Sequence, residues 1–280
     1  MKDMKRKTNK YGIFSECLRG NVAKAIKTAS ARQHQLTPTE IRQYKRLRER
    51  FRGSKDTVPI RTSDSLVRKV VVAYRQYYRT VLLDGKKDPV AVRLLTQDLV
   101  AALRSSGIAT KGLSTLKKLE PQLQVELKKR GYHSLVGRIL PFYSLSLWKT
   151  QHQKVQKVRL PETKATVRVT YISDLIEHGW MYYATLGKFY PGGWVPDEAK
   201  DQIFCVTKAY KNRPESLRVS LLAHETQHVV DLRRYPKLNQ CELEYRAKLH
   251  PFSASIGRRI RGVSRASWRE AVLFGLDQHI

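Results

Sequence analysis

The chain lacks several features that would place it in a common class of protein. Its 280 residues contain no apolar run close to the length of a membrane span, and the basic N-terminus has no apolar core of a secretory signal. The three cysteines, Cys17, Cys205 and Cys241, are odd in number and scattered, which argues against a disulfide framework or a zinc finger. There is no internal repeat and no glycine-rich phosphate loop. We therefore expect a cytoplasmic protein without a transmembrane segment.

Acidic residues are also scarce. The chain has 24 Asp and Glu against 54 Lys and Arg, a net charge of +30. Such a charge predicts attraction to nucleic acid or another polyanion, although a generally basic composition is an alternative explanation. The positive charge is densest near the N-terminus, with runs at 5–7 and 42–48. Residues 1–60 are thus predicted to be a basic, partly disordered segment that carries a charged helix over Thr39–Arg52.

Hydrophobic periodicity divides the remainder into a helical region, 61–150, and a mixed region, 151–280. Within the first, the period predicts three helices, at Ser65–Leu82, Pro89–Ser105 and Gly112–Lys129, while 132–150 shows no clear pattern. Tyr74, Tyr77 and Tyr78 are close together, at a spacing more typical of a core than of a base-stacking surface. In the second region we predict the following elements in chain order: a strand at Ala165–Ser173, a short helix at Asp174–Tyr183, a turn at Pro191–Trp194 and a strand at Gln202–Tyr210. The predicted fold class is α+β.

One pentapeptide, His224-Glu225-Thr-Gln-His228, suggests a specific chemistry. Asn212 or Arg213 is a suitable cap and Pro214 a suitable first residue for a helix that ends at Tyr235-Pro236. On that helix the two histidines lie on one face, four residues apart, where they could bind one metal ion. Glu225 is then placed to take a proton from a metal-bound water.

A third protein ligand is expected from the helix predicted at 240–249, which contains Glu242 and Glu244. These residues are about 200° apart around a helix, so only one can face the metal. Glu244 is favoured because it shares its face with the small Ala247, and Glu242 remains the alternative. Asp231 is either a hydrogen-bond partner of a ligand imidazole or a surface residue. The candidate donors to a transition-state oxyanion are Tyr210, His178, Tyr245 and His250.

His224-Glu225-x-x-His228 followed by Glu244-x-x-Ala247 resembles the zincin metallopeptidases, and within them the gluzincins. The resemblance implies a zincin-like catalytic domain with Zn²⁺ bound by His224, His228 and Glu244. It also implies that Glu225 is the general base and that a peptide or protein is the substrate. By the same analogy, the strand at 202–210 would be the sheet edge that binds the substrate. The longer Asn-Glu-x-x-Ser-Asp pattern of the thermolysin-like group is absent. The alternative function is that of a basic nucleic-acid-associated protein with a structural or inactive zincin-like domain.

Overall fold

The protein is described from a computed structural model, which covers residues 12–54, 56, 58–84, 89–139, 141–161, 163–195, 201–239 and 241–248. The chain divides into two compact units. The first comprises Met1–Lys149 and Leu175–Tyr190, and the second comprises Thr150–Asp174 and Pro191–Ile280. Helices and one five-stranded sheet make up a mixed fold, as the predicted α+β class requires.

The first unit is mainly helical. Its helices are α1 (Ser15–Leu18), α2 (Val22–Ala31), α3 (Pro38–Arg52), α4 (Ser65–Asp84), α5 (Pro89–Arg104), α6 (Leu116–Lys129) and α7 (Trp180–Ala184), with 3₁₀ turns at Gly12–Phe14 and Gln33–Gln35. Helices α3 to α6 confirm the four that the sequence pattern predicts. Much of the predicted partly disordered segment is therefore ordered helix, while residues 1–11 lie outside the described residues.

Helix α3 shows why the basic segment folds. Thr37 Oγ1 accepts a hydrogen bond from the Glu40 backbone N–H, and Glu40 Oε2 accepts one from the Thr37 N–H. This reciprocal cap, with Pro38 in the first turn, satisfies the free N–H groups at the helix start. One face then buries Tyr44, Leu47 and Phe51 in the core of the unit.

The three neighbouring tyrosines of α4 are core residues. Tyr74, Tyr77 and Tyr78 are each 5% exposed or less, so their rings are not available for stacking on bases. The Tyr78 hydroxyl accepts a hydrogen bond from the Leu145 N–H, and the Tyr77 hydroxyl accepts one from the Tyr143 N–H. Burial raises the pKa of Tyr74 and Tyr78 well above the ordinary value for tyrosine.

A buried ion pair also lies in the first unit. Arg75 Nε donates to Glu177 Oε2 at 2.8 Å, and the two side chains are 5% and 2% exposed. The same guanidinium donates to the Val58 carbonyl oxygen and lies 3.4 Å from an Asp56 carboxylate oxygen. Burial raises the pKa of Glu177, and the Arg75 charge opposes that shift.

The sheet contains β1 (His133–Ile139), β2 (Phe142–Arg159), β3 (Lys164–His178), β4 (Gly193–Trp194) and β5 (Gln202–Val206), in the order β1-β2-β3-β5-β4. Strands β1 and β2 are antiparallel, β3 and β5 are parallel, and β4 runs antiparallel to β5. The sequence pattern did not predict β1 or β2. The short β4 occupies the predicted turn at Pro191–Trp194.

Two predicted elements are wrong. The helix expected over Asp174–Tyr183 is reduced to α7, because β3 continues to His178 and buries Glu177 against the distant Arg75. The strand expected over Gln202–Tyr210 ends at Val206, and Thr207–Tyr210 is a 3₁₀ turn. That strand, β5, is also not the sheet edge, because β4 pairs with its outer side.

The core of the second unit lies between its strands and one helical segment. Val167 and Val169 of β3 and Ile203 and Cys205 of β5 are buried together with Leu221 and Val229. The last two residues belong to the segment that contains the His224–His228 motif. Among the helices of the described residues, none combines the length and the apolar character needed to cross a membrane.

Candidate metal centre

The motif lies on a helical segment built of three parts. α8 (Pro214–Ser216) is followed by the π-helical Leu217–Ala223 and then by α9 (His224–Arg234). Arg213 is the N-cap residue, without a side-chain cap bond, and Tyr235 is the C-cap. π-Helical turns widen a helix locally and occur preferentially at functional sites. Here the π segment ends immediately before His224, so both histidines lie on regular α-helix and share one face.

The two imidazoles meet a carboxylate from the next helix, α10 (residues 241–248). The Nε2 atoms of His224 and His228 are 3.0 Å apart. Glu244 Oε2 is 3.6 Å from His224 Nε2, and Glu244 Oε1 is 3.5 Å from His228 Nε2. The ligand atoms of all three side chains lie within 4.8 Å of one another. The structure thus brings together the three residues that the sequence nominates as metal ligands.

Glu242 has a different place. Its carboxylate accepts a hydrogen bond from the Asn239 N–H, and the Asn239 side chain accepts one from the Glu242 N–H. This reciprocal arrangement is a capping box at the start of α10. Glu242 is exposed, and its partners are those of a helix cap. Of the two candidate carboxylates, only Glu244 approaches the histidines.

Asp231 is not a partner of an imidazole. It is 1% exposed, and its two carboxylate oxygens accept hydrogen bonds at 2.9 Å from Nε and Nη2 of Arg246. Both alternatives that the sequence left open for Asp231 are therefore wrong. The paired geometry joins α9 directly to α10, the helix that carries Glu244.

Burial and charge affect the carboxyl groups of the site in opposite directions. Burial raises the pKa of the Glu225 carboxyl to about 7, with His224 lowering it and Glu244 raising it. Hydrogen bonds from the His224 and His228 side chains hold the pKa of Glu244 far below its usual value. Lys248 Nζ lies 3.7 Å from Glu244 Oε2 and adds a positive charge. Glu244 is thus held as a carboxylate beside the two imidazoles, while burial favours the protonated form of Glu225.

The donor set fits zinc. Two imidazole nitrogens and one carboxylate are typical protein ligands of catalytic zinc. Ligand atoms about 2.1 Å from a tetrahedral ion are roughly 3.4 Å from each other. The two Nε2 atoms are 3.0 Å apart, and they lie 3.6 and 3.5 Å from Oε2 and Oε1 of Glu244, respectively. One usual feature is missing: His228 Nδ1 is buried and has no hydrogen-bond partner among the described residues.

The candidate oxyanion donors are distributed over the chain. Tyr210, at the end of the 3₁₀ turn before α8, is close enough to Glu225 for that charge to raise its pKa. Burial is the largest cause, followed by Cys205 and then Glu225, and together they raise the pKa of Tyr210 to about 12. Tyr245 is 45% exposed, and His178 belongs to the first unit. His250 lies outside the described residues.

Comparison with known proteins adds no relative. The chain matches no protein-family model, no curated protein and no solved structure. The residues of the site itself are therefore what indicates a function.

Sequence reasoning missed two features of this site. The Asp231–Arg246 pair joins residues 15 positions apart on different helices, and no local pattern indicates such a pair. The π-helical turn has no compositional signature. The only signal available in the sequence was the Asn239-x-x-Glu242 spacing, a recognisable capping box that would have excluded Glu242 as a ligand.

Proposed function

We propose that the protein is a zinc-dependent metallohydrolase that acts on peptide bonds. The observation that carries the proposal is the convergence of His224, His228 and Glu244 at separations suited to one ion. The placement of the motif helix against β3 and β5, with the third carboxylate on a following helix, supports a zincin-like arrangement of the second unit.

Zinc bound by these residues would supply a Lewis acid and a water of lowered pKa. Glu225 would act as the general base, because it follows His224 directly in the chain and lies close enough to His224 and Glu244 for their charges to act on its carboxyl. A carboxylate in this position can accept a proton from the attacking water and deliver it to the leaving amine. Glu244, held as a carboxylate, would keep the ligand set at one negative charge.

The test separates metal binding from catalysis with a Glu225→Gln variant of the full chain. Elemental analysis is expected to find one zinc per chain in both the wild-type protein and the variant. Hydrolysis of a fluorogenic peptide library should fall by a factor of roughly 10²–10⁴ in the variant, since the general base is lost. A wild-type protein without stoichiometric zinc would sink the proposal, and so would a variant with full activity.

A further inference from the structure

Helix α3 has a cationic face opposite to its buried face. The side chains of Tyr44, Leu47 and Phe51 are buried in the first unit. The opposite side exposes five cationic residues, Arg42, Lys45, Arg46, Arg48 and Arg52. This is a denser set of cations than on α6, which is one residue shorter, and we call it the α3 cationic face.

None of these five cations makes an ion pair with any residue that the structure describes. Arg42 and Arg46, and likewise Arg48 and Arg52, are four residues apart, so like charges are neighbours on the helix surface and destabilise it. Arg50 of the same helix differs: it donates to the Tyr183 carbonyl oxygen and lies over the Tyr183 ring. The helix thus uses one arginine in packing and presents the others to solvent.

The exposed acidic residue Glu49 lies within the α3 cationic face. At about 100° per residue, Arg46 and Arg48 lie at opposite borders of an arc of roughly 160°, and Glu49 lies near its centre. From Arg42 to Arg52 the face extends about 15 Å along the axis. A helix of about 10–12 Å diameter fits the major groove of B-form DNA, which is about 12 Å wide and bordered by phosphates on both sides. Cations at both borders can then reach both backbones, with Glu49 over the groove floor.

We propose that the α3 cationic face binds double-stranded DNA through the phosphates of the major groove. Arginine suits this role because its planar guanidinium contacts phosphate through two hydrogen bonds. A single strand is disfavoured because such binding uses exposed aromatic rings, whereas Tyr44 and Phe51 of α3 are buried. A membrane surface is disfavoured because the apolar side of α3 is already packed in the core. The proposal is independent of the proposed hydrolase activity.

The test measures binding of the full chain to a fluorescein-labelled 25-base-pair duplex by anisotropy over a range of salt concentrations. The variant is Arg42→Gln/Arg46→Gln/Arg48→Gln, since glutamine has a similar helix propensity to arginine. The matched control is Lys117→Gln/Lys118→Gln/Lys128→Gln, which removes the same charge from exposed positions of α6. Circular dichroism checks that both variants are folded.

We expect the α3 variant to bind on the order of 100-fold more weakly at physiological salt. Its slope of log affinity against log salt should be smaller by about 2.7, since each phosphate contact contributes about 0.9. The α6 control should stay within a few-fold of wild type. The proposal is overturned if wild-type protein does not bind the duplex, or if both variants weaken equally. Tighter binding of the wild-type protein to the single strand than to the duplex would overturn it as well. So would an α3 variant that keeps its affinity for the duplex and loses only binding to phosphatidylserine vesicles.

Discussion

Two glutamates two positions apart have separate roles in this protein. Glu244 approaches both histidines, whereas Glu242 closes the capping box of α10. The sequence favours Glu244 through its neighbour Ala247, which is completely buried, as close packing of α10 requires. Whether Glu244 binds zinc is a prediction that a pair of variants can test.

Glu244→Gln should lower zinc affinity by more than about 10–100-fold, which is the loss typical when a residue that hydrogen-bonds to a metal ligand is removed. Glu242→Gln should keep zinc affinity, and because glutamine also completes a capping box, it should cost less than about 1 kcal/mol of stability. Competition with a chromophoric chelator measures both affinities. The assignment of Glu244 fails if Glu242→Gln is the variant that loses zinc.

At the scale of elements, the Asp231–Arg246 pair holds α10 against α9. Removing the arginine leaves a carboxylate that is 1% exposed without its partner. A buried pair broken in this way costs about 3–5 kcal/mol. Since Arg246 is itself 37% exposed, we expect a smaller loss for Arg246→Met, about 2 kcal/mol.

Urea denaturation measures this loss, and zinc affinity should fall in parallel because Glu244 is on the helix that Arg246 holds. The control is the double variant Asp231→Leu/Arg246→Met, which removes both charges and should recover part of the stability. A single variant with unchanged stability and unchanged zinc affinity would show that the pair does not position α10.

Elements in which apolar residues recur at a regular spacing were predictable from the sequence, whereas the other elements depend on contacts between distant residues. α3 to α6 each have one apolar face, so the spacing of apolar residues marks them. β2 begins with Phe142–Trp148, most of which is buried on both faces, so no alternation is visible there. The end of β3 is stabilised by Arg75, about 100 positions away, which explains why a local pattern there indicated a helix.

At the scale of the whole molecule, the sequence placed one boundary after residue 150 and could not show that the chain returns to the first unit over Leu175–Tyr190. The chain returns because its strands are long and pair with distant segments, and composition does not indicate such pairing. The buried Arg75–Glu177 pair lies between segments of the first unit that are distant in the chain, which makes it a probe of the stability of that unit.

Arg75→Met should destabilise the protein by about 3–5 kcal/mol, because Glu177 is left as a buried charge without its partner. Arg75→Met/Glu177→Leu should be closer to wild type, since neither charge remains. Urea denaturation gives both free energies. Equal losses in the single and double variants would mean that packing of the Arg75 side chain, rather than its charge, is what stabilises the unit.

The position of Glu244 on a separate helix has a further consequence. His228 and Glu244 are 16 positions apart, and an ion bound by both would close that stretch of chain into a ring. Like a disulfide, such a closure reduces the freedom of the unfolded chain. Unlike the effect of a disulfide, this stabilisation depends on the concentration of free zinc. Each tenfold rise of free zinc above the dissociation constant would add about 1.4 kcal/mol to the stability of the folded state. Resistance of this stretch to proteolysis would then report the zinc concentration around the protein.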